Sequence, residues 1–121
     1  MKVVVVAPSG ATDAWFRERA HLKFDERLEV CVARFPDSEA YRPVSMIVRR
    51  MTKRWRSMTP SRRLILNLAL IHAPADAIDY VITHELCHIK HNNHGSAFID
   101  LLERVMPDWE NRKMKLEKSL A

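Results

Sequence analysis

Apolar residues recur every three or four positions in two long stretches of this 121-residue chain, and gather in short runs between them. Phe16, Ala20, Phe24, Leu28 and Cys31 keep the helical interval while Arg17, Glu18, Lys23, Glu26 and Arg27 fill the other side. This predicts a helix to about Val32, capped by Thr12 or Asp13. Ala77, Ile78, Val81, Ile82, Leu86 and Ile89 repeat the interval, predicting a second helix from about Ala75 to His91 with Pro74 and Asp76 at its start. Phe98, Leu101, Leu102, Val105 and Met106 share one face of a third helix, capped by Ser96 and stopped by Pro107. Asp108 is placed to cap a last helix carrying Trp109 and Leu116. Its basic residues Arg112, Lys113, Lys115 and Lys118 are expected to be solvated.

The remaining apolar runs read as strands. Lys2 to Ala7 is rich in β-branched residues and expected to be buried on both faces. Val44 to Trp55 alternates in part, turns at Met58-Thr59-Pro60-Ser61, and is followed by the run Leu64 to Ile71. The two runs are expected to pair as a hairpin. Pro36 to Pro43 is polar, bracketed by prolines, and reads as a linker. The sum is one α+β domain: residues 1–35 form a strand and helix, 36–43 a linker, and 44–121 the hairpin, second helix and C-terminal helices. A small antiparallel or mixed sheet packs on the second helix.

Composition narrows the class. The chain is large enough for one core and too small for two. The Val3–Val6 run, broken by Pro8, is too short for a signal peptide, and no later run approaches a membrane span. Two cysteines, Cys31 and Cys87, make no disulfide framework, which fits a reduced, cytoplasmic protein with no membrane partner. The net charge of +5 is uneven: between Ala40 and Ala75 there is no acid, but there are Arg42, Arg49, Arg50, Lys53, Arg54, Arg56, Arg62 and Arg63. Such a stretch is either a solvated strand surface or a contact for phosphate, so nucleic acid stands as a possible partner of the basic hairpin.

The chemistry concentrates in Thr83-His84-Glu85-Leu86-Cys87-His88-Ile89-Lys90-His91-Asn92-Asn93-His94, which holds four of the chain's six histidines. On a helix, His84 and His88 lie about 6 Å apart along the axis and about 40° apart around it, so both imidazoles can share one ion. Glu85 sits about 100° further round, within reach of a metal-bound water. That is the arrangement metal-assisted hydrolysis uses. Two histidines hold zinc weakly, so a third ligand is expected. A straight helix carries His91 about 10 Å too far along the axis. His94 follows Asn92-Asn93 and precedes Gly95, residues that tolerate the left-handed turn ending a helix, and can swing back over the ion. Glu103 on the third helix is the rival.

Beyond this motif the chain carries Thr52-Lys53-Arg54-Trp55, Asn67 with Leu70-Ile71, Ala73-Pro74, Ile78-Asp79-Tyr80-Val81, Asn93-His94, Phe98 and Met106-Pro107-Asp108-Trp109. In this run it resembles the YgjP-like zinc metallopeptidases, relatives of the SprT-like and WLM zincins. The resemblance is continuous from about Met51 to Leu116 and looser before Phe35. It implies a compact zincin-like domain with one Zn²⁺ per chain, held by His84, His88 and His94. It further implies Glu85 as the general base and a peptide or protein as substrate. The chain departs from the family where Trp55-Arg56-Ser57-Met58 replaces a usual Trp-Gly-Ser-Cys, and where Arg62-Arg63 replaces a usual Gly-Asn.

Several residues keep two readings. The Leu64–Ala69 edge can accept an extended substrate, with Asn67 contacting its backbone or bonding its own neighbours. Tyr80, one turn before His84, can donate to an oxyanion or pack in the core. Asp79 or Asp100 can orient a ligand imidazole. In the alternative function, a nucleic-acid-associated SprT-like protease or DNA-binding module, Arg49, Arg50, Lys53, Arg54, Arg56, Arg62 and Arg63 contact the phosphates.

Overall fold

The computed structural model describes residues 2–5, 11–51, 56–58 and 61–119. Strand β1 (Lys2–Val5) leads to helix α1 (Ala11–Ala33), then strand β2 (Ser45–Arg49), strand β3 (Arg56–Met58) and strand β4 (Arg63–Asn67). Helices α2 (Ala75–Cys87), α3 (Ser96–Val105) and α4 (Trp109–Ser119) complete an α+β fold. No described helix is long and apolar enough to cross a membrane.

The strands form one mixed sheet in the order β1-β2-β4-β3. Here the expected hairpin is corrected. β2 and β4 run parallel, Ser45 beside Arg63 and Arg49 beside Asn67, and the antiparallel partner of β4 is the three-residue β3. β4 is therefore interior, and the exposed edges are β1 and β3. β1 pairs with β2 alone; the expected burial of its two faces concerns side chains outside those described. The run Leu64 to Ile71 changes conformation at Asn67, and Leu68–His72 forms a 3-10 helix. The proline-bracketed linker is ordered too: Ser38–Tyr41 is a 3-10 helix whose Tyr41 stacks on Phe35 at 4.2 Å between centroids.

α2 is the element around which the rest is arranged. Every residue from Ala77 to Cys87 is buried, polar and apolar alike, as expected of a helix enclosed on all sides. The sheet, α1, α3 and α4 surround it. α4 buries Leu116 and packs Trp109 against the core, and ion pairs add to its attachment. Arg112 bonds Asp108 at 2.9 Å and the Asp76 carbonyl at 3.3 Å, and Lys115 bonds the Asp76 carboxylate at 2.6 Å. Two of the four basic residues expected to be solvated thus fasten α4 to α2. Lys115 and Arg112 hold the carboxyls of Asp76 and Asp108 below the usual range. Because these folded-state values are lowered, their stabilisation is present above the ordinary carboxylate pKa and is lost as pH falls through the lowered values.

The described part of the basic stretch is divided among several roles. Arg42 is occupied by Glu29 and Glu39, and the register sets Arg63 and Arg49 at opposite ends of the parallel strands. Arg49, Arg50 and Arg63 are exposed; Arg56 is a β3 position, while Lys53 and Arg54 lie outside the described residues. Arg62 is structural. It is the one described non-glycine residue with positive φ, at 64°, and it stands where the resembled family usually has glycine. Its guanidinium donates to the Ala40 carbonyl at 2.6 Å and the Arg42 carbonyl at 3.4 Å, which offsets a left-handed cost of about 1 kcal/mol. Arg62→Gly removes both the bonds and the strain, whereas Arg62→Ala removes only the bonds. The glycine variant is therefore expected to be more stable than the alanine variant by about 1 kcal/mol in chemical denaturation.

Candidate metal centre

The last turn of α2 carries His84 and Glu85, each more than nine-tenths buried. The helix ends at Cys87, four residues before the expected His91. His88 keeps helical backbone angles as the capping residue, and its N–H bonds back to Glu85 and Leu86. Its imidazole therefore still overhangs the face of His84, with ring centroids 5.1 Å apart. The chain then turns through Ile89 and Lys90 and brings His94 back. One nitrogen from each of His84, His88 and His94 lies within 4.8 Å of the others, and Nε2 of His88 is 3.0 Å from Nε2 of His94.

These donors fit a metal ion. Tetrahedral metal–nitrogen bonds of 2.0–2.1 Å set ligand nitrogens about 3.3 Å apart, a spacing the histidines reach with small side-chain shifts. The tautomer is also suited to it: Nδ1 of His88 lies 3.0 Å from the His91 carbonyl. With the proton on Nδ1, donated to that oxygen, Nε2 presents its lone pair toward His94. His91 thus supplies a backbone carbonyl, and its distance along the helix, by which its side chain was set aside, is superseded by the early end of α2.

The reversal carrying His94 is built differently from expectation. No described residue in it has positive φ. Instead, Asn93 Oδ1 accepts the Gly95 N–H at 3.0 Å, and a Cβ on Gly95 would meet that oxygen at 2.9 Å. Glycine is needed there for close approach. Gly95, not Ser96, is the capping residue of α3, and it makes no side-chain cap bond. Lys90 lies over the Tyr41 ring at 4.9 Å, fastening the turn to the Ser38–Tyr41 segment. Glu103 is exposed on α3 and does not belong to the histidine cluster.

Behind the histidines stands Phe98 of α3, 1% exposed, with its ring centroid 5.0, 4.7 and 4.8 Å from those of His84, His88 and His94. Sequence reading placed Phe98 in the core and among the residues of the family resemblance, and its helical periodicity carries no sign of this role. Glu85 Oε1 is 4.0 Å from Nδ1 of His84. Cys87 is a poor ligand: burial, aided by the negative charge of Glu85, pushes its thiol up to about 12. His84 is enclosed while His88 and His94 are progressively more exposed, so the cluster faces solvent on one side only.

Other candidates resolve on their contacts. Asn67 is buried, donates to the Met51 carbonyl at 2.8 Å and accepts from Ala69 N–H at 3.1 Å. Its amide ties the end of β2 to the 3-10 turn, and β4 is no free edge. Asp79 does not orient a ligand. It is enclosed against Arg27, which bonds both of its oxygens at 2.7 and 2.5 Å. Asp100 is exposed on α3. Tyr80 is buried, 5.8 Å from His84 and stacked on Trp109 at 6.5 Å between centroids.

The family model described as YgjP-like, metallopeptidase domain, matches residues 7–119. No curated protein matches the chain.

Proposed function

Because the chain belongs to the YgjP-like metallopeptidase family, we propose that it is a zinc-dependent hydrolase of peptide bonds in which Glu85 is the general base. The observation that carries this reading is the convergence of three imidazole nitrogens within 4.8 Å beside a buried glutamate on the same helix end. An all-nitrogen set of three suits zinc, and three protein ligands are the number a catalytic zinc site uses. Bound there, zinc supplies a Lewis acid that acidifies water and polarises a carbonyl.

The chain's own groups do the rest. His84, His88 and His94 hold the ion, and the His91 carbonyl fixes the His88 tautomer. Glu85 accepts the proton of the attacking water and delivers it to the leaving amine. An extended substrate adds to the outer edge of β3, which packs against α2, rather than to the interior strand β4.

Metal analysis and hydrolysis test this together. Purified, zinc-reconstituted protein is expected to hold about one zinc per chain. It is expected to cleave peptides, to lose cleavage to a chelator, and to regain it with zinc. Reconstituted protein that cleaves no member of a broad peptide mixture would overturn the reading. His94→Ala is expected to weaken zinc binding by more than about 100-fold, the upper range for groups that merely orient ligands. Glu103→Gln is expected to leave it unchanged. Competition with a chromogenic chelator measures both, and the reverse pattern would reassign the third ligand.

A further inference from the structure

The core-facing side of α1 is accounted for by Ala20, Phe24, Leu28 and Cys31, all fully buried. The opposite side carries a second apolar pattern. Of the five large apolar side chains exposed among the described residues, three lie on this helix: Trp15 at 53% exposure, Leu22 at 69% and Val30 at 38%. Single exposed apolar residues are ordinary; these three are aligned. At about 100° per residue, Trp15, Arg19, Leu22, Glu26 and Val30 fall within about 80° of arc, roughly opposite the buried face. All five are exposed. The stripe runs about 22 Å along the axis, with Leu22 near its middle. There a hollow of about 320 Å³ opens where α1 meets the 3-10 helix, lined by Arg19, Leu22, Lys23, Glu26 and Ile71.

We infer that this stripe is the contact face of a homodimer in which α1 packs antiparallel against α1 of a second copy. The inference does not rest on the peptidase reading. Charge selects both the occupant and its direction. Arg19 and Glu26 stand about 10 Å apart along the axis, equidistant from the point between Leu22 and Lys23. A twofold axis through that point sets Arg19 of each copy beside Glu26 of the other, and Trp15 beside Val30. It also brings the two Leu22 side chains together over the hollows. The patch is thus complementary to itself, as an isologous contact requires. Parallel packing sets Arg19 on Arg19 and Glu26 on Glu26, an arrangement that like-charge repulsion disfavours. Each charge is positioned from within its own chain: Arg19 lies over the Trp15 ring at 4.9 Å, and Glu26 Oε1 is 3.7 Å from Arg27 Nη1. Lys23 falls at the margin of the stripe, where its stem can line the contact while its ammonium stays in water. The stripe points away from α2, which packs on the other side of α1, so pairing leaves the histidine cluster uncovered.

Sedimentation of the full chain tests this. The wild type is expected to sediment as a dimer, twice the 14.1 kDa of one chain, at roughly 100 μM, a concentration that populates even a small contact. Arg19→Glu or Glu26→Arg alone turns both cross-axis pairs into like charges, and each is expected to weaken dimerisation by more than about tenfold. Mixed in equal amounts, the two variants are expected to recover a dimer containing one copy of each, because every cross-axis pair is again of opposite sign. Leu22→Ser is expected to give monomers as well. All three are exposed positions, and circular dichroism with a thermal melt establishes that the fold is kept. A wild type that is monomeric at this concentration, a dimer that survives Leu22→Ser or either charge reversal, or charge variants that fail to pair when mixed would overturn the assignment.

Discussion

A Glu85→Gln variant is expected to bind zinc as the wild type does and to lose hydrolysis by a factor of about 10³ or more, the scale on which a positioned general base acts. The expectation follows from geometry. Glu85 follows His84 on α2, but it does not belong to the histidine cluster whose nitrogens converge within 4.8 Å. Glutamine keeps the shape and remains able to fill the buried space, but it cannot accept the proton of the attacking water. Zinc content and circular dichroism establish that the site and fold persist, and peptide hydrolysis at saturating substrate gives the loss. Equal activity of the two proteins would remove Glu85 from the mechanism. Loss of zinc with the activity would make it a ligand instead.

The largest expected effect on stability lies on another face of the same helix. Asp79 is 2% exposed and takes two bonds from Arg27, with Arg112 Nη1 at 3.8 Å. A carboxylate at this depth is tolerable only because the paired fork neutralises it. Asp79→Ala leaves the two guanidiniums facing each other without their counter-charge. The loss is expected to be about 3–5 kcal/mol, or roughly 12–20 °C in Tm for a domain of this size. Replacing both members with apolar residues, Arg27→Met with Asp79→Leu, is expected to cost much less, because no buried charge is stranded. Below its own melting temperature, Asp79→Ala is expected to retain one zinc per chain. A fall under about 1 kcal/mol would show that the pair contributes no more than a surface ion pair.

What the sequence made legible, and what it left dark, follows from which interactions are local. Spacing alone puts His84 and His88 on one helix face with Glu85 about 100° round from it, and the histidines converge in the structure. His94 was preferred over Glu103 from turn-forming residues and the family resemblance; in the structure His94 joins the other two histidines, through a turn that uses the Asn93 side chain and no left-handed residue. Strand pairing was not legible. Partial alternation over Val44 to Trp55 and the apolar run Leu64 to Ile71 mark strands but carry nothing about direction, so two neighbouring runs read as a hairpin. The three residues of β3 decide the topology and are too few to announce themselves. Charge was misread for the same reason: nothing local tells Arg112, which reaches 36 residues back to Asp76, from Lys113 beside it. Arg62 was visible only through the glycine that the resembled family carries there.

The complete enclosure of α2 bears on how such an enzyme can change its preferences. A substitution anywhere from Ala77 to Cys87 disturbs packed neighbours, so the helix that carries the proposed metal ligands and base has little freedom to vary. Variation is left to the part that packs beside α2 without supplying a ligand, the short β3 edge. Of the two departures from the family pattern noted in the sequence, Arg56 and Met58 fall in β3, whereas Arg62-Arg63 lies at the start of β4, where Arg62 is structural. Under the proposed function, new substrates are reached by redecorating the rim while α2 remains fixed.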